Sequence, residues 1–157
     1  MSPTDAPATM RVVLVDDLED LRALLRLTLE RSGYFSVVAE AENGERALAV
    51  VRETQPDLVL LDVAMPVMDG LQALALIRQE HPTVNVAMLS GFGDTSEVAQ
   101  RALAMGAIGY IQKNGRLLGI PEQLRVMTDS ATAQRRARTR REQLRSATSV
   151  PPSVNGS

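Results

Sequence analysis

The stretch Asp57-Leu58-Val59-Leu60-Leu61-Asp62-Val63-Ala64-Met65-Pro66-Val67-Met68-Asp69-Gly70 passes from an apolar run, through a turn, to the start of a helix. Asp57–Leu61 carries four consecutive branched aliphatic residues, which reads as a short strand buried on both faces. The run stops on Asp62. Pro66 and Gly70 then fix a turn close to that carboxylate, and Asp69-Gly70 precedes the segment Leu71–Glu80. There Leu71, Leu74, Leu76 and Ile77 follow a helical rather than an alternating period.

The same rhythm repeats on either side. Upstream, the strand Arg11–Val15 runs into Asp16-Asp17. A helical pattern of Leu21, Leu24, Leu25 and Leu29 follows, and Gly33 closes it as a C-cap. Ser36–Ala41 is the next strand, and Asn43-Gly44 turns into a helix over Glu45–Glu53 that stops before Pro56. Downstream, Val84–Leu89 leads to Ser90, and a helix is expected over Thr95–Met105. Ala107–Ile111 leads through Gln112 to Lys113. Pro121 is placed as the first residue of a fifth helix, with Leu124, Met127 and Ala131 on its inner side. Five strand-then-helix units predict an α/β fold, a parallel sheet with helices on both faces and right-handed crossovers. Parallel strands would bring Asp16, Asp17, Asp62, Ser90 and Lys113 to one edge, where open sheets bind ligands.

Composition narrows the setting. A chain of 157 residues accommodates one domain and a tail. With no cysteine, disulfide frameworks and thiolate metal sites are excluded. No basic-then-apolar leader opens the sequence and no apolar stretch approaches the roughly 18 residues of a membrane span, so a cytoplasmic setting without membrane contact is expected. The net charge of −2 hides an asymmetry: positions 1–130 carry −7, whereas 131–157 hold six arginines against Glu142, +5. The expected organisation is a disordered lead-in over 1–10, an ordered domain over 11–130, and a basic helical extension with a disordered tail over 131–157.

The strand-end residues point to phosphate chemistry. The adjacent carboxylates of Asp16 and Asp17 repel, and a hard cation such as Mg²⁺ would relieve them. A solvated acidic loop leading into the next helix, where Glu19 and Asp20 suit an N-terminus, is the other reading of the pair alone. A carboxylate such as Asp62, held beside a metal, can attack a phosphoryl group and form an acyl phosphate. Ser90 offers a small hydroxyl, with Gly91 leaving room for a ligand. Lys113 is the only lysine among 17 basic residues, and its compact ammonium suits a single oxygen better than an arginine fork would.

Together Asp16-Asp17, Asp62 with Met65-Pro66-Val67-Met68-Asp69-Gly70, Ser90, Tyr110 and Lys113 resemble the receiver domain of bacterial two-component response regulators, here standing alone over roughly Arg11 to Met127. The resemblance implies a flavodoxin-like doubly wound (βα)5 fold with strand order 2-1-3-4-5, the order found in flavodoxin and in the family's chemotaxis member. It implies phosphorylation of Asp62 by a histidine kinase or phosphotransfer protein, with Mg²⁺ bound by Asp17, Asp62 and the Ala64 carbonyl and Asp16 acting largely through water. Lys113 would offset phosphoryl charge, Ser90 would hydrogen-bond the phosphoryl group, and Tyr110 would turn inward as the switch aromatic. The signalling surface would be the face of the fourth helix, fifth strand and fifth helix. The expected protein is a switch rather than an enzyme. An output protein that the sequence does not identify, and a second copy of the chain, are the further partners.

Three alternatives remain on the sequence. One is a receiver fold that works without phosphorylation. Another is a regulator whose basic tail contacts nucleic acid, against the simpler expectation of a solvated extension of the fifth helix. A metal-dependent phosphohydrolase would need a second acid two residues after the nucleophile, where Ala64 stands.

The chain also departs from the family pattern. Asn114-Gly115 follows Lys113 where the family usually has proline, so a trans Lys113-Asn114 bond is expected. Two positions that tune acyl-phosphate lifetime in the family it resembles are occupied here by Ala64 and Phe92, and neither side chain can hydrogen-bond an attacking water. Slow self-dephosphorylation follows, with Phe92 either shielding the site or facing solvent. Substituting Ala64→Asn should speed phosphate loss severalfold in a time course of the phosphorylated protein; an unchanged rate would refute this account of the lifetime.

Overall fold

The computed structural model describes residues 8–91, 96–113 and 116–149. Its strands are β1 (Met10–Val15), β2 (Phe35–Ala41), β3 (Leu58–Asp62), β4 (Asn85–Ser90) and β5 (Gly109–Gln112). Its helices are α1 (Glu19–Arg31), α2 (Gly44–Thr54), α3 (Gly70–Glu80), α4 (Ser96–Ala104) and α5 (Ile120–Thr148), the last preceded by a 3-10 turn at Leu117–Gly119. All neighbouring strands pair in parallel, in the order β2-β1-β3-β4-β5. This is the doubly wound flavodoxin-like sheet expected above.

Strand alternation divides the core in two. Val13, Val15, Val59, Leu61, Val86 and Met88 face Ala47 and Val51 of α2, Leu74 and Ile77 of α3, and Ala102 of α4. Their neighbours Val12, Leu14, Leu58, Leu60, Ala87 and Leu89 face Leu25 and Leu29 of α1 and Ile120 and Leu124 of α5. Both faces of the central strands are therefore dry, which is why their sequences are unbroken apolar runs. Deleting one such side chain, as in Leu60→Ala, removes about 2–5 kcal/mol of packing.

Several expected details shift. Leu24 is 51% exposed, because Leu25 and Leu29 continue the i, i+4 stripe from Leu21 while Leu24 lies about 100° round the helix. Met10 belongs to β1 rather than to the lead-in, its N–H donating to the Tyr34 carbonyl at 2.8 Å. Strands β3 and β4 each run one residue further than the apolar pattern, so Asp62 and Ser90 sit within the ladder. Helix α5 starts at Ile120, with Pro121 inside its first turn. Thr95, expected to open the fourth helix, lies outside the described residues.

The β3–α3 connection is under local constraint. Asp69 caps α3, its Oδ1 accepting from the Gln72 N–H at 2.9 Å while the Gln72 side chain accepts from the Asp69 N–H at 3.2 Å. The Met68 N–H donates to the Pro66 carbonyl at 2.8 Å, a γ-turn centred on Val67. Val67 has φ +70°, a region that a β-branched residue avoids, and its side chain is exposed. Gly70 is packed so closely that a Cβ there would overlap the Asp62 carbonyl oxygen. Opposite effects follow for the two positions. Val67→Asn should raise stability by about 1 kcal/mol by relieving the left-handed backbone, and Gly70→Ala should lower it by about 2–3 kcal/mol through overpacking. Urea unfolding of both variants checks the signs.

Candidate functional site

The C-terminal ends of β1, β3, β4 and β5 lie along one edge. Val15 is level with Leu61, Asp62 with Leu89, and Ser90 with Gln112. Main-chain bonds carry this register into the loops: Asp16 N–H donates to the Ala41 carbonyl at 3.1 Å, Val63 N–H to Leu89 at 3.0 Å, and Lys113 N–H to Ser90 at 2.8 Å. Continuing each strand's alternation places Asp16, Asp62 and Lys113 on the α1/α5 side of the sheet and Ser90 on the other.

The side chains meet accordingly. Lys113 Nζ stands 2.7 Å from Asp16 Oδ2 and 3.0 Å from Asp62 Oδ1, bridging the two buried carboxylates. Asp17 is exposed beside them, and one oxygen from each of Asp16, Asp17 and Asp62 lies within 4.8 Å of the others. Ser90 Oγ is buried without a hydrogen-bond partner among the described residues. Tyr110 is half-buried against the α2–α4 side of the core, level with Met88. Ala64 is exposed, and its backbone N–H hydrogen-bonds the Asp62 carboxylate. Phe92, expected to shield the site or face solvent, and the Lys113-Asn114 bond, expected to be trans, lie outside the described residues.

One contributor was not visible in the sequence. The Arg22 guanidinium donates to the Asp16 main-chain carbonyl at 2.5 Å and stands 3.3 Å from Glu40 on β2. Asp16 Oδ1 in turn accepts from the Leu18 N–H at 2.9 Å, so the β1–α1 turn is held from both ends. Only Glu40 comes from a separate segment, and no local pattern announces that Arg22 is shared between the β1–α1 turn and β2.

The site is electrostatically unbalanced. Burial, and then the charge of Asp16, push the Asp62 carboxyl up from its ordinary value of 3.8 to about 6, against the opposing pull of Lys113 and the Ala64 N–H. Burial pulls the Lys113 ammonium down, but its hydrogen bonds to Asp16 and Asp62 outweigh that and leave it raised. Three carboxylates face one ammonium. Their hard oxygen donors fit a hard divalent cation, whose charge would supply what the lysine alone does not.

The family model of the response regulator receiver domain matches residues 12–125. The chain is 40% identical over 103 residues to the chemotaxis protein CheY of Halobacterium salinarum, covering 66% of this chain and 83% of that one. It is 42% identical over 113 residues to a protein-glutamate methylesterase/protein-glutamine glutaminase of Paramagnetospirillum magneticum, covering 71% of this chain but 30% of that enzyme. Against its longer relatives the chain spans roughly a third to a half of their length. Among solved structures, the signal receiver domain of NarL from Mycobacterium tuberculosis superposes with a TM-score of 0.73 at 32% identity, covering 78% of this chain and 98% of that one.

The raised Asp62 carboxyl has a consequence for stability. A group whose folded value lies above its unfolded one favours folding when protonated, and that contribution is lost as pH rises from about 4 through about 6. In the absence of divalent cations, Asp62→Asn should therefore be more stable than the wild type by up to about 3 kcal/mol at pH 8, with the difference closing by about pH 4. Chemical unfolding across this pH range reads the difference directly, and a constant offset would contradict the electrostatic account.

Proposed function

As the chain belongs to the response regulator receiver domain family, we propose that it is a two-component signalling switch that accepts a phosphoryl group on Asp62. The donor is the phosphohistidine of a histidine kinase or phosphotransfer protein, and the exchange takes place in the cytoplasm. The observation that carries this reading is the Lys113 ammonium spanning Asp16 and Asp62 in a site that also holds Asp17 and an unpartnered Ser90 hydroxyl. A purely structural ion pair would not need the additional carboxylate or the idle hydroxyl.

In the proposed transfer an Asp62 carboxylate oxygen bonds to phosphorus. The phosphorus–nitrogen bond breaks, its electron pair returning to the imidazole, which leaves neutral when its other nitrogen carries a proton. Asp17, Asp62 and the Ala64 carbonyl would hold Mg²⁺, with Asp16 acting largely through water, and the bound ion would offset charge on the phosphoryl oxygens. Lys113 exchanges its contact with Asp62 for a phosphoryl oxygen and keeps Asp16 as its second partner. Ser90 donates its hydroxyl to another phosphoryl oxygen, giving up no existing bond to do so. Tyr110 follows Ser90 inward. These new bonds favour one of two packings of the α4, β5 and α5 face, and an output protein reads the shifted population. The chain acts as phosphoacceptor rather than on an external substrate, and the exposed Ala64 offers no side chain to guide water, which keeps the phosphoryl group in place.

Incubating the full chain with Mg²⁺ and a small-molecule phosphodonor should add one phosphoryl group to the intact mass. Chelation of the metal should prevent it, and Asp62→Asn should abolish it. No mass gain in the wild type, or a gain that survives Asp62→Asn, would overturn the assignment.

A further inference from the structure

Helix α5 is two objects in one. Its first part buries Ile120, Leu124 and Thr128 against the domain, whereas every described residue from Thr132 to Ser149 is exposed. The exposed part, about 24 Å long at 1.5 Å per residue, carries six arginines against the single acid Glu142. Only Arg138 forms an ion pair there among the described residues, with Glu142 at 3.0 Å. We propose that residues 132–148 are a sequence-independent binding element for duplex DNA, laid in the major groove with its arginines on the phosphodiester backbone. The proposal goes beyond the phosphoacceptor reading and does not depend on it.

The distribution of charge selects this partner. At about 100° per residue, Arg136 and Arg140 fall on one side of the helix, and Arg138, Arg141 and Arg145 on the opposite side. An acidic protein surface would meet one side only. The two phosphate walls of a major groove, wide enough to admit a helix, meet both. The exposed segment has a single large apolar residue, Leu144, so it offers no stripe for a hydrophobic protein groove and no face to sink into a bilayer. A-form RNA is less suitable, because its major groove is too narrow for the helix.

The root of the segment is cationic as well. Arg135 Nη2 donates to Asn85 Oδ1 at 2.5 Å, tying the helix to the start of β4. Beside it Arg78 Nη1 donates to the carbonyls of Pro82 at 2.8 Å and Val84 at 3.0 Å. Arg78, Arg135 and Arg138, with Ser130 and Gln134, line a groove of about 460 Å³ in which no lining residue is a carboxylate. Burial, and then the charge of Arg135, pull the Arg78 guanidinium down, and no carboxylate of the lining offsets this charge pair. A backbone phosphate seated there would complete it. The −7 charge of positions 1–130 repels DNA elsewhere and confines contact to this end.

The test is fluorescence anisotropy of the full chain with a labelled duplex of arbitrary sequence. Contact with four to six phosphates should give a log–log salt slope of about −4 to −5, a loss of about 300- to 1,000-fold in affinity between 50 and 200 mM salt. Scrambling the sequence should leave affinity unchanged. A variant combining Arg136→Gln, Arg138→Gln, Arg140→Gln, Arg141→Gln and Arg145→Gln retains good helix formers at exposed positions. It should melt with the wild type yet lose binding, its slope falling towards zero. The proposal is overturned if the wild type does not bind at low salt, or if the variant binds as well. It is equally overturned if polyglutamate or anionic phosphatidylglycerol vesicles bind as tightly as the duplex.

Discussion

Parallel strand register forces three carboxylates to within 4.8 Å of one another at the edge of this sheet. Repulsion between them is the constraint around which the neighbouring structure is organised. A sheet of antiparallel strands would send alternate strand ends to opposite edges and disperse the charges. Here the ladder fixes Asp62 beside Leu89, and the bonds from Asp16 and Val63 hold the chain as it leaves the sheet. The backbone cannot relax the crowding, so other groups must compensate for it. Lys113 compensates in part, the Arg22 guanidinium steadies the turn that presents Asp16, and the Asp62 carboxyl remains raised. A site left short of positive charge by rigid backbone suits a hard cation, and the proposed phosphoryl transfer would draw on the same deficit.

The side of the sheet on which each group emerges adds a second level of order. Asp16, Asp62 and Lys113 continue the alternation that buries Leu14, Leu60 and Ile111 against α1 and α5, so the ammonium reaches both acids without crossing the sheet. Ser90 continues the alternation of Val86 and Met88, on the side where Tyr110 also packs. The charge-holding half and the hydroxyl half of the site thus rest on different layers of the core. A phosphoryl group on Asp62 would be the first thing to connect them, which gives a local bond the means to bias packing on the α4 side.

Legibility in the sequence followed the physics of each feature. The central strands were plain because burial on both faces demands unbroken apolar runs, and Asp62, Ser90 and Lys113 were plain because each interrupts or follows one. Strand order came with the family resemblance rather than from any run by itself. The apolar pattern ends β3 and β4 a residue short, since Asp62 and Ser90 are polar yet still belong to the ladder. The exposure of Leu24 is not legible, because spacing alone cannot tell adjacent stripes of a leucine-rich helix apart. The Arg22–Glu40 pair, the Val67 γ-turn and the Arg135–Asn85 bond were invisible. The first and last join residues far apart in the chain, and the turn places a valine where a left-handed backbone would favour glycine or asparagine.

The long α5 helix gives the charge asymmetry of the sequence a direction in space. It begins shortly after Lys113 at the acidic edge and runs antiparallel to the strands, so its arginine-rich part emerges at the opposite end. Strand β4 spans the same distance within the core: Ser90 ends it at the acidic site, and Asn85 begins it at the bond to Arg135. The length of this six-residue strand, about 16–17 Å between its end residues at the usual rise, therefore separates the candidate phosphoryl ligand from the anchor of the basic helix. Because β4 is fully buried and packed on both faces, it resists bending and transmits displacement along its length better than a surface loop would. Any rearrangement that moves the Ser90 end, or the β5–α5 connection through Lys113, acts on a helix whose middle, at Arg135, is already tied to the same strand.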